Sequence, residues 1–267
     1  MRPLADLSLA ARRRVRVVLS DIDDTLTTEG RLTAAAYGAM ERLTAAGFLV
    51  VPITGRPAGW CDHIARMWPV AGVVGENGAF YFRYDAKARQ LIKRFLVSAE
   101  ERAANRTRLA ALGSSILAAV PGTALASDQL YREADLAIDF CEDVAPLPIE
   151  AVDRIGRLFE AAGATAKISS IHVNGWFGAY DKLGMTRLFF AECFGLDLEA
   201  SKDEFVFAGD SPNDAPMFGF FPHSVGVANV RDFKGRLAAE PAYVTPSRAG
   251  AGFVELADAL LAARDKR

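Results

Sequence analysis

A chain of 267 residues is long enough for one large domain or for a domain that carries a smaller one. With 51% hydrophobic and 24% charged residues it reads as a globular protein with a sizeable core, and no apolar run approaches the roughly 20 residues that cross a bilayer. A formal charge of −2 leaves no basic footprint for nucleic acid, and Cys61, Cys141 and Cys193 are too widely spaced for a disulfide framework or a zinc site.

The lead-in, 1–16, carries Arg2, Arg12, Arg13, Arg14 and Arg16. Asp6 and the scarcity of serine argue against a transit peptide, so the segment reads as solvated and the protein as cytoplasmic. Residues 15–19 then form a buried parallel strand that breaks into Ser20-Asp21-Ile22-Asp23-Asp24-Thr25. On extended backbone Asp21 and Asp23 point to the same side. Carboxylates so close repel unless a cation or a proton relieves them, which calls for a divalent metal, an acid–base pair, or both. The bland alternative is a polar turn at a strand end.

Thr33 caps a helix to about Ala46, which Gly47 stops. The next buried strand, 48–53, ends in Thr54-Gly55-Arg56-Pro57, and Pro57 opens a helix to about Met67. A third strand, 70–74, leads through Gly75-Glu76-Asn77-Gly78 to the apolar run 79–84. From 85 to 175 the pattern changes to strands 90–97, 136–141 and 164–173, the last as one strand or two, with helices 99–119 and 149–162. Alternation such as Leu136-Ala137-Ile138-Asp139-Phe140 suits an antiparallel sheet with helices on one face. Strand–helix alternation resumes with helix 182–194 and strand 205–208, which runs into Gly209-Asp210-Ser211-Pro212-Asn213-Asp214. Strands 224–228 and 242–245 and a closing helix 252–264 complete the chain. The expected fold is α/β, a doubly wound parallel sheet from 1–84 and 176–267 with an α+β module, 85–175, inserted.

In a parallel sheet the strand C-termini share one edge, so Asp21/Asp23/Thr25, Thr54, Lys182 and Asp210/Asn213/Asp214 can converge there. Carboxylates can hold Mg2+, and Thr, Lys and backbone N–H groups can hold a phosphate. Each cluster has a bland alternative: a turn hydroxyl at Thr54, a solvated lysine at Lys182, a turn and helix cap at Asp210 and Asp214. Asp24 receives no role.

The Asp-x-Asp-x-Thr of 21–25, the Thr-Gly-Arg of 54–56, the lone Lys182 and the Gly-Asp-Ser-Pro-Asn-Asp of 209–214 resemble the four ordered motifs of the haloacid dehalogenase-type phosphatases. The inserted module is similar to the cap of their sugar-phosphatase branch, which includes sucrose-phosphate phosphatase, mannosyl-phosphoglycerate phosphatase and the Cof-like hydrolases. The resemblance implies a Rossmann-like core with a specificity cap. It also implies Mg2+-dependent hydrolysis of a small phosphorylated metabolite, with a sugar phosphate as the expected class. By the same resemblance Asp21 is the nucleophile that forms an aspartyl phosphate, and Asp23 is the acid and then the base. Thr54, Gly55 and Lys182 hold phosphoryl oxygens. Asp21, the Asp23 carbonyl and Asp210 hold Mg2+, with Asp214 and Asn213 ordering its waters. Asp23 favours phosphate chemistry over dehalogenation, where no acid is needed. Arg56, Asn77, His172 and Asn174 are candidate substrate contacts. Glu76 and Asn77 either face the substrate or form a tight turn; Arg56 either points to the cap or pairs with an acid. A phosphomannomutase-like phosphotransferase and a non-catalytic metabolite-binding protein on the same fold stay open as rivals. The expected partner is the small substrate, with no nucleic acid and no membrane, in a monomer or homodimer.

Overall fold

Val17–Ser20 is buried along its whole length, as a strand covered on both faces must be. In the computed structural model, which describes residues 1–264, it lies within a six-stranded parallel sheet. The order is Arg2–Pro3, Tyr243–Val244, Ser224–Gly226, Phe205–Gly209, Val17–Ser20, Leu49–Pro52. Side-chain alternation feeds two cores. Val18, Val50 and Val206 share one with Met40, Leu43, Leu256 and Leu260. Val17, Leu19, Val51, Phe205 and Phe207 share the other with Phe189, Phe190 and Met217. The register sets Ala208 beside Ser20 and Ser20 beside Pro52, so these three adjacent strands end at one level.

The helices form where the sequence provides caps. Thr33 accepts from the Ala36 N–H ahead of Ala34–Ala45, and Ser98 from the Glu101 N–H ahead of Ala99–Ala119. Asp181 accepts from the Gly184 N–H and opens Lys182–Phe194, which Gly195 closes in a left-handed conformation (φ 64°). Within 85–175, a four-stranded antiparallel sheet runs Thr165–Ile168, His172–Trp176, Leu136–Asp139, Ala124–Leu125. Its Leu136, Ile138 and Val173 face a third core with Leu109, Ile116, Ile155 and Phe159 from the helices Ala99–Ala119 and Ile149–Ala161. The opposite face therefore presents Asp139, His172 and Asn174.

Two expectations are corrected. The strand Gln90–Phe95, read as the start of the inserted module, pairs instead with Phe80–Asp85 as a hairpin beside Val73–Gly75. Asp85 Oδ1 accepts from the N–H groups of Lys87 and Ala88, and this turn bond folds the second strand back onto the first. The lead-in is not merely solvated. Arg2–Pro3 adds an edge strand beside Tyr243–Val244, and Leu4 and Leu7 are buried. Their burial outweighs the surrounding arginines, whose charged ends stay near the surface; Arg12 donates to the carbonyls of Leu4 and Ala5. Cys61, Cys141 and Cys193 are free, and no helix among the described residues is long and apolar enough to cross a membrane.

Leu7 has no exposed surface, so Leu7→Ala should cost about 2–4 kcal/mol in urea unfolding. A loss below about 0.5 kcal/mol would return the segment to a solvated lead-in.

Candidate active site

The shared strand edge gathers the acids. The Asp21 N–H donates to the Ala208 carbonyl (2.9 Å) and the Ile53 N–H to the Ser20 carbonyl (2.8 Å), which fixes the chain ends that carry Asp21, Asp210 and Thr54. Carboxylate oxygens of Asp21, Asp210 and Asp214 all lie within 4.8 Å of one another, and all three residues are buried. Lys182 Nζ donates to Asp21 Oδ1 and to Asp214 Oδ1, both at 2.7 Å. Asp214 Oδ2 accepts from the N–H groups of Asp210 (3.0 Å) and Ser211 (3.3 Å). Asp210 accepts from Thr25 Oγ1 and from Asn229 Nδ2, which also donates to the Asp24 carbonyl and locks that left-handed turn.

Charge in this cluster does not balance. Burial, with the charges of Asp214 and Asp23 adding, pushes Asp21 up to about 8 against the pull of Lys182. Burial also pushes Asp210 well above the usual carboxylate range, with Asp21 and Asp214 contributing. Burial opposes the Lys182 ammonium, but Asp21 and Asp214 outweigh it and hold its proton more tightly than usual. Three carboxylates facing one ammonium in a dry pocket fit a hard dication with oxygen ligands.

Thr54 is fully buried; its Oγ1 accepts from the Arg56 N–H (3.0 Å), which leaves the hydroxyl proton for a ligand. Asn77 Oδ1 accepts from Asn213 Nδ2 (3.2 Å), whereas Asn77 Nδ2 is buried with no acceptor. A Cβ on Gly55 would stand 3.1 Å from that Nδ2, so Gly55 lets an unsatisfied donor approach the strand edge. Gly78, at φ +105°, brings the turn so near Asp181 that a Cβ would meet its carbonyl at 2.0 Å, and this seats the helix that begins with Lys182.

Arg56 both pairs with an acid and reaches the inserted module. Its Nε and Nη2 donate to Asp23 at 2.8–3.0 Å, Nη1 to Asp128 (3.3 Å) and Nη2 to Glu142 (2.6 Å). Its guanidinium lies 4.4 Å over the Trp60 ring. His172 Nε2 stands 2.9 Å from Glu142 Oε2, close enough for an ion pair but misaligned for a hydrogen bond. Asn174 Nδ2 donates to Asp135 Oδ2 (2.9 Å). Arg132 Nη1 donates to Asp135 and to the Gly55 carbonyl (2.9 Å), while its Nε donates to Asp128 (3.0 Å). Asp21, Asp23, Gly55, Arg56, Arg132, Ser169, Ile171, His172, Asn174 and Asn213 enclose a space of about 10 Å³, room for about one water. Any substrate requires this roof to open.

Glu76 does not face that space. Its carboxylate is buried and accepts from four backbone N–H groups: Ala58 (2.9 Å), and Glu133 (2.9 Å), Ala134 (2.6 Å) and Asp135 (3.2 Å) across the joint. Burial pushes it up to about 8, Asp135 adding and Arg132 opposing. Sequence reading missed this joint and did not single out Asn229, Asp128, Arg132, Asp135 or Glu142. The three-to-four-residue spacing of Asp128, Arg132 and Asp135 carried a signal for ion pairing. A lone acid after a strand, as at Glu142, carried none.

Glu76→Gln leaves one acceptor oxygen for the four donors. It should cost about 1–3 kcal/mol in denaturant unfolding and speed amide exchange at Glu133–Asp135. Unchanged protection there would show that the joint does not depend on the carboxylate. Burial opposes the Glu142 charge, but His172 and Arg56 outweigh it and bring the carboxyl down to about 2 from 4.5. Its contribution is thus complete above about 4.5 and lost as pH falls towards 2. The thermal midpoint of Glu142→Gln should fall less steeply than that of the native protein across this window, and parallel curves would contradict the pairing.

No protein-family model matches the chain, and no curated protein matches it. Solved structures do. A Thermoplasma acidophilum protein superposes with a TM-score of 0.68 at 18% identity, covering 92% of this chain and 98% of that one. A HAD/COF-like hydrolase from Plasmodium vivax gives 0.66 at 16% identity, covering 97% and 100%. The sucrose-phosphatase of Synechocystis, solved with sucrose and phosphate, gives 0.61 at 14% identity, covering 93% and 98%. Core and inserted module are both included in these superpositions.

Proposed function

We propose that this chain, which has the haloacid dehalogenase fold, is a Mg2+-dependent phosphomonoesterase acting on a small phosphorylated metabolite, with a sugar phosphate as the expected class. The observation that carries the proposal is the position of Lys182 Nζ, 2.7 Å from both Asp21 and Asp214 at the strand edge where Asp23, Thr54 and Asp210 also end. Bound Mg2+ would be held by Asp21, the Asp23 carbonyl and Asp210, with Asp214 and Asn213 beside it, and would supply positive charge to the carboxylates and the phosphoryl oxygens.

The chain's own groups account for the steps. Asp21 attacks phosphorus, its new O–P bond forming as the bond to the leaving oxygen breaks. Asp23 gives that oxygen a proton, then takes one from the water that opens the aspartyl phosphate. Lys182, the Thr54 hydroxyl and the free Asn77 Nδ2 orient the phosphoryl oxygens. The ion pair with Arg56 fits the ionised base; for the acid step Asp23 must turn from Arg56 to the leaving oxygen. His172 and Asn174 line the space above and would contact the leaving group. A phosphotransferase would share the Asp21 step, and a hexose bisphosphate separates the two: free inorganic phosphate marks the hydrolase, isomerised hexose phosphate the transferase.

Hydrolysis of p-nitrophenyl phosphate should require Mg2+, stop on chelation and return when Mg2+ is restored. Asp21→Asn should abolish it, and Asp23→Asn should slow it by about 10²–10⁴-fold. Turnover by Asp21→Asn would remove the nucleophile. No turnover by the native protein across a broad phosphate panel would favour a binding protein.

A further inference from the structure

The space above Asp21 and Asp23 is walled by two cations that are already paired with carboxylates. Every nitrogen of the Arg56 guanidinium donates to a carboxylate of Asp23, Asp128 or Glu142. Every nitrogen of Arg132 donates to Asp128 or Asp135, Nη1 also reaching the Gly55 carbonyl. Four carboxylates thus surround two guanidinium groups, a formal excess of two negative charges. The other lining groups from the inserted module, Ser169, Ile171, His172 and Asn174, are apolar or hydrogen-bonding. His172 Nε2 is buried in this wall with no hydrogen bond. Lys167 pairs opposite Asn174 on the same sheet face but lies outside the lining.

Resting on the phosphomonoesterase reading, we infer that this wall sorts substrates by the charge of the part that leaves. It takes an uncharged, hydroxyl-bearing alcohol and turns away one that carries a carboxylate or a second phosphate, with Glu142 as the determinant. A second anionic group would have to displace a carboxylate from Arg56 or Arg132, leaving that acid unpaired in a largely dry site. Asp128 bridges the two arginines and Asp135 is held by Arg132 and Asn174; both are almost wholly buried, with 6% and 0% of their side chains exposed. Glu142 is the most exposed of the four, at 25%, and it stands against both Arg56 and His172, two residues that line the space. A hydroxyl needs no such exchange, because His172 and Asn174 line the space with hydrogen-bonding groups. The same charge balance works against a bisphosphate, and so against the transferase alternative.

Glycerol 3-phosphate and 3-phosphoglycerate test the inference, because they differ only by a carboxylate in place of a hydroxymethyl group. With Mg2+ present, kcat/KM of the native protein should favour glycerol 3-phosphate by about tenfold or more. Glu142→Gln should narrow that ratio by about threefold or more, whatever it does to the absolute rates. A native ratio within about twofold of unity, or one unchanged in Glu142→Gln, overturns the inference and leaves the hydrolase standing. If neither compound nor p-nitrophenyl phosphate releases phosphate, the hydrolase reading fails. Calorimetric binding of the same two compounds to the native protein then decides the charge preference. Tighter glycerol 3-phosphate supports it and equal affinity overturns it.

Discussion

The contact on which the site depends is one buried ammonium held between two carboxylates. Lys182 meets Asp21 and Asp214 at 2.7 Å each, and Asp210 stands in the same group without a cation of its own. Removing an ion from water costs several kcal/mol even after relaxation, so such a cluster persists only where the surroundings dictate it. Here they do. Two parallel strands end at one level, the Asp214 side chain is tied to the Asp210 and Ser211 N–H groups, and Gly78 fits the helix bearing Lys182 against the core. The remaining negative charge is what a dication would offset.

That balance also explains the division of labour between the two halves of the molecule. The core carries the acids and Lys182, and the inserted module carries the groups that face them. Arg56 belongs to the core but connects both, since one guanidinium touches Asp23 on its own side and Asp128 and Glu142 on the other. The position of the module therefore bears on the surroundings of the Asp23 carboxylate. A roof that leaves room for about one water keeps bulk solvent from Asp21 and Asp23.

Much of the site was legible in the sequence because its parts sit at strand ends. Asp21, Thr54 and Asp210 each follow an apolar run, and a parallel sheet has one geometry for such positions. Lys182 was legible from its place in the motif order, and the helix 182–194 was read at its observed bounds because Asp181 caps it and Gly195 stops it. The joint was not legible. Glu76 is bonded to backbone N–H groups, which every residue has, so nothing at Glu133, Ala134 or Asp135 marks a partner. The hairpin Phe80–Asp85 with Gln90–Phe95 was divided between two modules because the residue pattern changes at its turn. Leu4 and Leu7 were hidden by neighbouring arginines.

The Glu76 contact bears on how this architecture can diversify. A single core carboxylate is matched to three consecutive main-chain donors of the inserted module, so at this contact the two halves are keyed by the module's backbone path rather than by its side chains. The side chains at 133–135 can therefore change without loss of this contact while their trace is kept. A foreign module transplanted onto this core would need to reproduce that trace before any question of ligand preference arose.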